Sequence, residues 1–151
     1  MAASNGNTQS DEEKAASLLI EIACMLNKKC GRRKRPDGSW EEYSGFSVDM
    51  EGLESAIFAP FQVIWEQPRF PSVYDRAAAV IVNIARGHHF EDGNKRTALH
   101  TGLTYLRACS IIVRPPSHEA GAQLVIDCVL QENYETAIAV MSTKLQQWTA
   151  G

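Results

Sequence analysis

The segment from residue 72 to residue 87 is the feature that most limits what this chain can fold into. Its pattern predicts a long helix, and residues 74–86 are apolar nearly all round. A helix without a polar face is typical of a central, buried element, which favours a mainly helical domain. Gly87 is the residue type that commonly ends a helix, so His88 is expected to leave directly from the buried end.

Five further segments carry apolar residues at helical spacing. Ser10 and Asp49 are favoured helix caps, and Ser10 is followed by Glu13 in the pattern of a capping box. The predicted helices cover residues 10–28, 49–58, 97–107, 117–130 and 134–148. Apolar and polar residues alternate between positions 59 and 71, and the prolines there predict a short β-hairpin or edge strand. The predicted fold class is therefore mainly α, with about six helices and one small β-hairpin.

The length and composition favour one globular domain. The 151 residues are predicted to form a single unit, residues 1–151, in which residues 1–10 are disordered. The net charge of −3 gives no reason to expect a nucleic-acid partner. No apolar run has the length of a membrane span, and the N-terminus lacks the pattern of a signal peptide. We therefore expect no membrane partner and a cytoplasmic location.

The four cysteines carry no recognisable site pattern. Cys24, Cys30, Cys109 and Cys128 form no Cys-x-x-Cys pair and lack zinc-ligand spacing with the histidines. We expect them to be reduced thiols packed in the core, where small apolar cysteines are common.

Residues 28–43 are predicted to form a loop insertion that is first basic and then acidic. Six of the eight residues from Lys28 to Arg35 are basic, and Pro36-Asp37-Gly38 is a turn signal. A solvated loop or hairpin is the favoured interpretation. A nucleic-acid contact or a sorting signal is the alternative, because basic runs of this length also occur in both.

Residues 88–96, with the sequence HHFEDGNKR, combine the chemical groups of a phosphate-handling site. A glycine lets the backbone approach an anion, and the helix that follows offers free N–H groups and a positive dipole end. Cations neutralise phosphate, a carboxylate holds Mg²⁺, and a histidine removes a proton near neutral pH. A zinc site formed by His88, His89 and His100 is the alternative use of these imidazoles.

The signature of the Fic/Doc (Fido) family is similar to the pattern of residues 88–99, H-x-F-x-D-G-N-K-R-T-A-L. Its Asn-Lys-Arg-Thr-Ala-Leu ending resembles the Doc branch, named for "death on curing" phage toxins. Residues 52–56 and 71–79 are similar to the segments that precede the motif in Doc-type chains, and the resemblance covers residues 44–148. It implies a compact Fic/Doc helical bundle in which the β-hairpin, residues 60–70, is a flap that pairs with the target protein.

The resemblance also implies an enzyme that moves part of a nucleotide onto a hydroxyl side chain of a target protein, with ATP as substrate and Mg²⁺ as cofactor. Classical Fic members transfer AMP. Doc-type toxins transfer the terminal phosphate, act on translation elongation factor Tu and inhibit translation. Lys95, where AMP-transferring members usually have glycine, and Leu99, where many have a second arginine, favour phosphate transfer. The alternatives are an AMP transferase and a catalytically silent binding module that uses basic residues 32–35.

Within this resemblance the motif residues have distinct roles. His88 is the general base that accepts the proton of the attacking hydroxyl. Asp92 holds Mg²⁺ against phosphate oxygens, and it can also cap the helix. Phosphate is bound by the N–H groups and positive charges of the residues that follow, which are Gly93, Asn94, Lys95 and Arg96.

The neighbouring residues are not assigned to the chemistry. Phe90 is expected to anchor the loop in the core, while His89 is treated as a bystander and Thr97 as a helix-surface residue. An inhibitory helix of the Fic type is not expected, because Glu21 in a similar Ser-x-x-x-Glu pattern is followed by Ile22 and lacks an arginine partner. The resemblance implies inhibition in trans instead, by an antitoxin segment that folds into a groove.

Overall fold

Six α-helices and one two-stranded antiparallel sheet make up the described part of the chain. The computed structural model describes residues 10–30, 34–39 and 47–150. The elements are α1 (Asp11–Cys30), α2 (Met50–Phe58), a 3-10 turn (Ala59–Phe61), β1 (Val63–Ile64), β2 (Gln67–Pro68), α3 (Val73–Gly87), α4 (Asn94–Ala108), α5 (His118–Leu130) and α6 (Tyr134–Gln147). The mainly α fold class is confirmed. Among the described residues, no helix combines the length and apolarity needed to cross a bilayer.

Helix α3 is the centre of the fold, as its apolar pattern predicts. Eight of its 15 residues are buried, and it packs against α2, α4, α5 and α6. Its approach to α4 is close, because a Cβ atom added at Gly102 would overlap the side chain of Ile81. A larger residue at position 102 would push the two helices apart, so this glycine fixes the distance between the helices on either side of the motif.

Most of the helices begin at a residue whose side chain caps them. In each case a side-chain oxygen accepts an N–H of the first turn, which the helix itself leaves unpaired. The caps of this kind are Ser10, Asp49, Ser72, Ser117 and Asn133. Helix α4 differs, because its N-cap is Gly93, which has no side chain that could accept these bonds.

The predicted β-hairpin is present, but its base lies far from the motif. At the start of α3, Arg76 donates a hydrogen bond to the carbonyl oxygen of Phe70, beside the end of β2 (2.8 Å). The motif leaves α3 after Gly87, about 16 Å farther along the helix at 1.5 Å per residue. The segment that pairs with the motif is residues 47–49. The base of the hairpin is therefore not beside His88, and the pairing of the hairpin with a target protein stays a prediction.

The predicted basic loop is described in part. Its residues 34–39 form the expected turn, in which the N–H of Gly38 donates to the carbonyl oxygen of Arg35 (2.9 Å) and Gly38 has a φ of 90°. Residues 31–33 and 40–46 of this loop, and residues 1–9 of the predicted disordered tail, lie outside the described residues.

Three of the cysteines are free thiols in the described part of the chain, namely Cys24, Cys109 and Cys128. Cys128 is buried, and this burial raises the pKa of its thiol to about 11. It is therefore protonated and unreactive at neutral pH, as expected for a core thiol. The side chain of Cys30 lies outside the described residues.

Candidate functional site

All six residues predicted to form the site line one cleft. The cleft has a volume of about 1140 Å³, with the motif loop and the start of α4 on one side and residues 115–126 on the other. This volume is ample for a small organic ligand that carries phosphate groups. The six residues are His88, Asp92, Gly93, Asn94, Lys95 and Arg96.

His88 has a left-handed backbone conformation, with a φ of 51° and a ψ of 40°. The sequence predicted that Gly87 ends α3, and the helix does end there. The left-handed conformation is adopted by the next residue, His88, and not by Gly87. A residue with a Cβ adopts this conformation at a cost of about 1–3 kcal/mol, which the surroundings must offset. This turn directs the exposed imidazole of His88 into the cleft.

His89 fills a slot between two glycines and is not a bystander. A Cβ atom added at Gly87 would overlap Nε2 of His89, and one added at Gly52 would lie 2.8 Å from its Nδ1. Both ring nitrogens are buried, and neither has a hydrogen-bond partner within the described ranges. The ring therefore acts as a wedge that packs the motif loop against α2 and the end of α3.

Residues 47–49 pair with the motif loop as a short antiparallel bridge. The N–H of Asp49 donates to the carbonyl oxygen of His89 (2.7 Å), and Val48 lies opposite Phe90. The side chain of Phe90 is 4% exposed and belongs to the core, so its predicted anchoring role is confirmed. The backbone on both sides of this anchor is thus fixed.

The side chain of Asn94 closes the motif loop. Its Oδ1 accepts the N–H of Phe90 (3.0 Å), and its Nδ2 donates to the carbonyl oxygen of Phe90 (2.8 Å). Because both ends of the amide bind the loop, the backbone N–H is the group that Asn94 offers to an anion.

The first turn of α4 presents unpaired N–H groups at the cleft. Those of Asn94, Lys95 and Arg96 have no acceptor among the described residues, whereas Oδ1 of Asp92 accepts the N–H of Gly93 (2.7 Å). Gly93 has a φ of 77°, a conformation that glycine adopts without steric penalty. The helix dipole and the two exposed cationic side chains add positive charge at the same place. The arrangement is that of an anion site.

The carboxylate of Asp92 is exposed and lines the cleft next to this anion site. Proteins bind Mg²⁺ through one or two carboxylates together with substrate phosphates and retained water, so this donor fits such a role. Within the part of the chain that the structure describes, no three His, Cys, Asp or Glu side chains come together as a metal site. The alternative zinc site of His88, His89 and His100 is therefore not assembled.

Two histidines that were not assigned to the site from the sequence also line the cleft. His100 lies one helical turn beyond Arg96, and His118 begins α5 on the opposite side. Partial burial lowers the pKa of His100, and the charges of Arg96 and His118 lower it further. A lowered pKa favours the neutral form of this imidazole. The spacing of four residues between Arg96 and His100 could have indicated His100 from the sequence. His118 reaches the cleft only because α5 packs opposite α4.

Gly87→Ala is expected to destabilise the protein, because the added Cβ would displace the ring of His89. The backbone of Gly87 is not left-handed, so this overlap is the main obstacle to alanine. We expect a loss of about 1–3 kcal/mol in the free energy of unfolding, measured by urea denaturation.

The control is the same substitution in the His89→Ala background, where the slot is empty. There we expect Gly87→Ala to be neutral or stabilising, since alanine also favours the helix. An equal loss of stability in both backgrounds would contradict the wedge role of His89.

Comparison with known proteins finds one matching family model and two similar curated proteins, both of which are named Doc. A family model described as "Fic/DOC family" matches residues 15–106. The "Toxin Doc" of Mycolicibacterium smegmatis is 33% identical over 75 residues, which cover 50% of this chain and 49% of that protein. The "Protein kinase doc" of Escherichia phage P1 is 33% identical over 72 residues, which cover 47% of this chain and 57% of that protein. The chain thus spans about half the length of these curated relatives.

Proposed function

The chain belongs to the Fic/DOC family, and we propose that it is a Doc-like toxin that transfers the terminal phosphate of ATP to a hydroxyl side chain of a target protein. The observation that carries this proposal is the cleft in which His88 lies with the N–H groups at the start of α4. Phosphate transfer to a hydroxyl needs a base and an anion site in one place, and this cleft supplies both.

In the proposed reaction the oxygen of the target hydroxyl bonds to the terminal phosphorus of ATP. The bond from that phosphorus to the bridging oxygen breaks, and ADP leaves. The hydroxyl proton passes to the imidazole of His88, which acts as the general base. The left-handed turn at His88 and the packed ring of His89 hold the backbone that carries this imidazole at the edge of the cleft.

The start of α4 would bind the phosphoryl oxygens. The unpaired N–H groups and the helix dipole stabilise negative charge there. The guanidinium of Arg96 can donate two parallel hydrogen bonds to a phosphate, and the ammonium of Lys95 adds a point charge. The carboxylate of Asp92 would hold Mg²⁺, which neutralises charge on the phosphate oxygens when it is bound.

Two positions of α4 favour phosphate transfer over AMP transfer. Leu99 is 8% exposed and lines the cleft, so this position supplies no second cation for a polyphosphate. Lys95 is exposed at the helix start, where AMP-transferring members of the family usually have glycine. The name of the relative "Protein kinase doc" supports the same direction.

The proposed target is translation elongation factor Tu or a similar cytoplasmic protein, so that its modification inhibits translation. We also propose that an antitoxin protein restrains the activity in trans. The similarity to "Toxin Doc" supports the antitoxin, whereas the target is proposed from the resemblance of the motif to that of Doc-type toxins. The extended residues 47–49, which adjoin the motif loop, would pair with the main chain of the target in place of the distant hairpin.

The experiment that tests the proposal uses ATP labelled at the α or the γ phosphate, incubated with the protein and a bacterial lysate. We expect protein-bound label only from γ-labelled ATP, because the terminal phosphate alone is transferred. Retention of the α label would overturn this proposal in favour of AMP transfer. No label from either, together with salt-sensitive nucleic-acid binding, would instead favour a binding module that uses residues 32–35.

Substitutions on the motif test the roles of single residues in the same assay. His88→Ala is expected to abolish transfer and any growth arrest, since the base is lost. Arg96→Ala is expected to lower the transfer rate about 100-fold, the usual effect of removing one group that stabilises transition-state charge.

Arg107→Ala is the matched control for Arg96→Ala. Arg107 is also exposed on α4, about 16 Å from Arg96 along the helix axis, and we expect its loss to leave transfer unchanged. Equal losses in the two arginine variants would contradict a specific role of Arg96.

A further inference from the structure

Asn27 joins α1 to the motif loop through a buried amide. Its side chain is 1% exposed, and its Nδ2 donates to the carbonyl oxygen of Asp92 (2.9 Å) and to Oγ1 of Thr97 (3.2 Å). Thr97 is fully buried, which corrects its assignment to the helix surface. The carbonyl oxygen of Thr97 accepts a bond from Oγ1 of Thr101 (2.7 Å), so a chain of buried hydrogen bonds runs from α1 into α4.

An apolar residue would be expected at the position of Asn27. The buried face of α1 is formed by Ala16, Leu19 and Ala23, and position 27 continues the same helical spacing. A buried amide destabilises a fold unless its hydrogen bonds are made. A leucine at this position would have no polar group that needs a partner. The role of Asn27 is therefore to be found in the groups that its amide holds.

The amide of Asn27 fixes the direction of the peptide at Asp92. The carbonyl oxygen of Asp92 faces Asn27 in the interior, while the carboxylate of the same residue is exposed at the cleft. The bond to Thr97 holds the first turn of α4. One amide thus joins the loop that carries the carboxylate to the helix that carries the anion site.

We propose that Asn27 is a positioning residue, which holds the main chain of Asp92 so that its carboxylate faces a Mg²⁺–nucleotide complex at the start of α4. This inference rests on the proposed function, because only nucleotide transfer gives Asp92 that role. Asn27 itself is not among the residues that line the cleft. Its loss is therefore expected to weaken binding of the metal–nucleotide complex and to slow transfer by misplacing Asp92.

The test compares Asn27→Ala with Asn83→Ala. Asn83 of α3 is a matched control, because its Nδ2 also donates to a main-chain carbonyl oxygen, that of Ala56 (2.9 Å). Its Oδ1 also accepts a bond from the hydroxyl of Tyr134 (2.6 Å), so Asn83 joins α3 to α2 and α6, and neither bond involves Asp92 or α4. If Asn27 had only a structural role, the two variants would lose binding and transfer in proportion to their loss of stability. The melting temperature of each variant is therefore measured first.

The main readout is the affinity for Mg²⁺·ADP, measured by calorimetry, and the second is the kcat of γ-phosphate transfer. We expect Asn27→Ala to weaken Mg²⁺·ADP binding about tenfold or more and to lower kcat, while Asn83→Ala stays within about twofold of the unmodified protein at a similar melting temperature. Asn27→Asp, which keeps the shape but removes both donors, should behave like Asn27→Ala. Similar effects of Asn27→Ala and Asn83→Ala would overturn the proposal.

The binding readout separates this inference from the proposed function. If the unmodified protein binds Mg²⁺·ADP but transfers no phosphate, the proposed function fails, while the comparison of affinities still decides the role of Asn27. An unmodified protein that does not bind Mg²⁺·ADP would contradict both.

Discussion

The close packing of α3 against α4 is the constraint on which the rest of the structure depends. The two helices meet where Gly102 lies against Ile81, and residues 88–93 alone connect them. A connection this short leaves little conformational choice, and the chain reverses through left-handed backbone at His88 and Gly93. The imidazole and the start of α4 consequently meet at one cleft.

Contacts from three directions hold this short connection. The ring of His89 wedges it against α2, residues 47–49 pair with its backbone, and Asn27 binds it from α1. Such rigidity matters for the proposed chemistry, because N–H groups stabilise developing charge well only when they are oriented beforehand. The same contacts explain how the protein sustains an unfavourable backbone conformation at His88.

Much of the fold could be predicted from the sequence, because its signals are local. The apolar pattern of α3 and the cap at Asp49 each depend on neighbours within a few residues, and the motif holds its reactive groups within residues 88–96. The rest depends on packing between distant segments. Asn27 meets Asp92 across 65 residues, which no local pattern shows. Gly87 shows a second limit of prediction from sequence. The structure needs glycine there because its missing side chain leaves room for the ring of His89, and not because the backbone is left-handed.

The central claim is that the N–H groups at the start of α4 bind phosphate, and amide NMR during a titration with Mg²⁺·ADP tests it most directly. We expect the resonances of Asn94, Lys95 and Arg96 to shift and saturate together, since each N–H gains an acceptor. The hairpin residues 63–68, which lie near the other end of α3, should show no change. Unchanged resonances of these three amides at saturating Mg²⁺·ADP would contradict the claim.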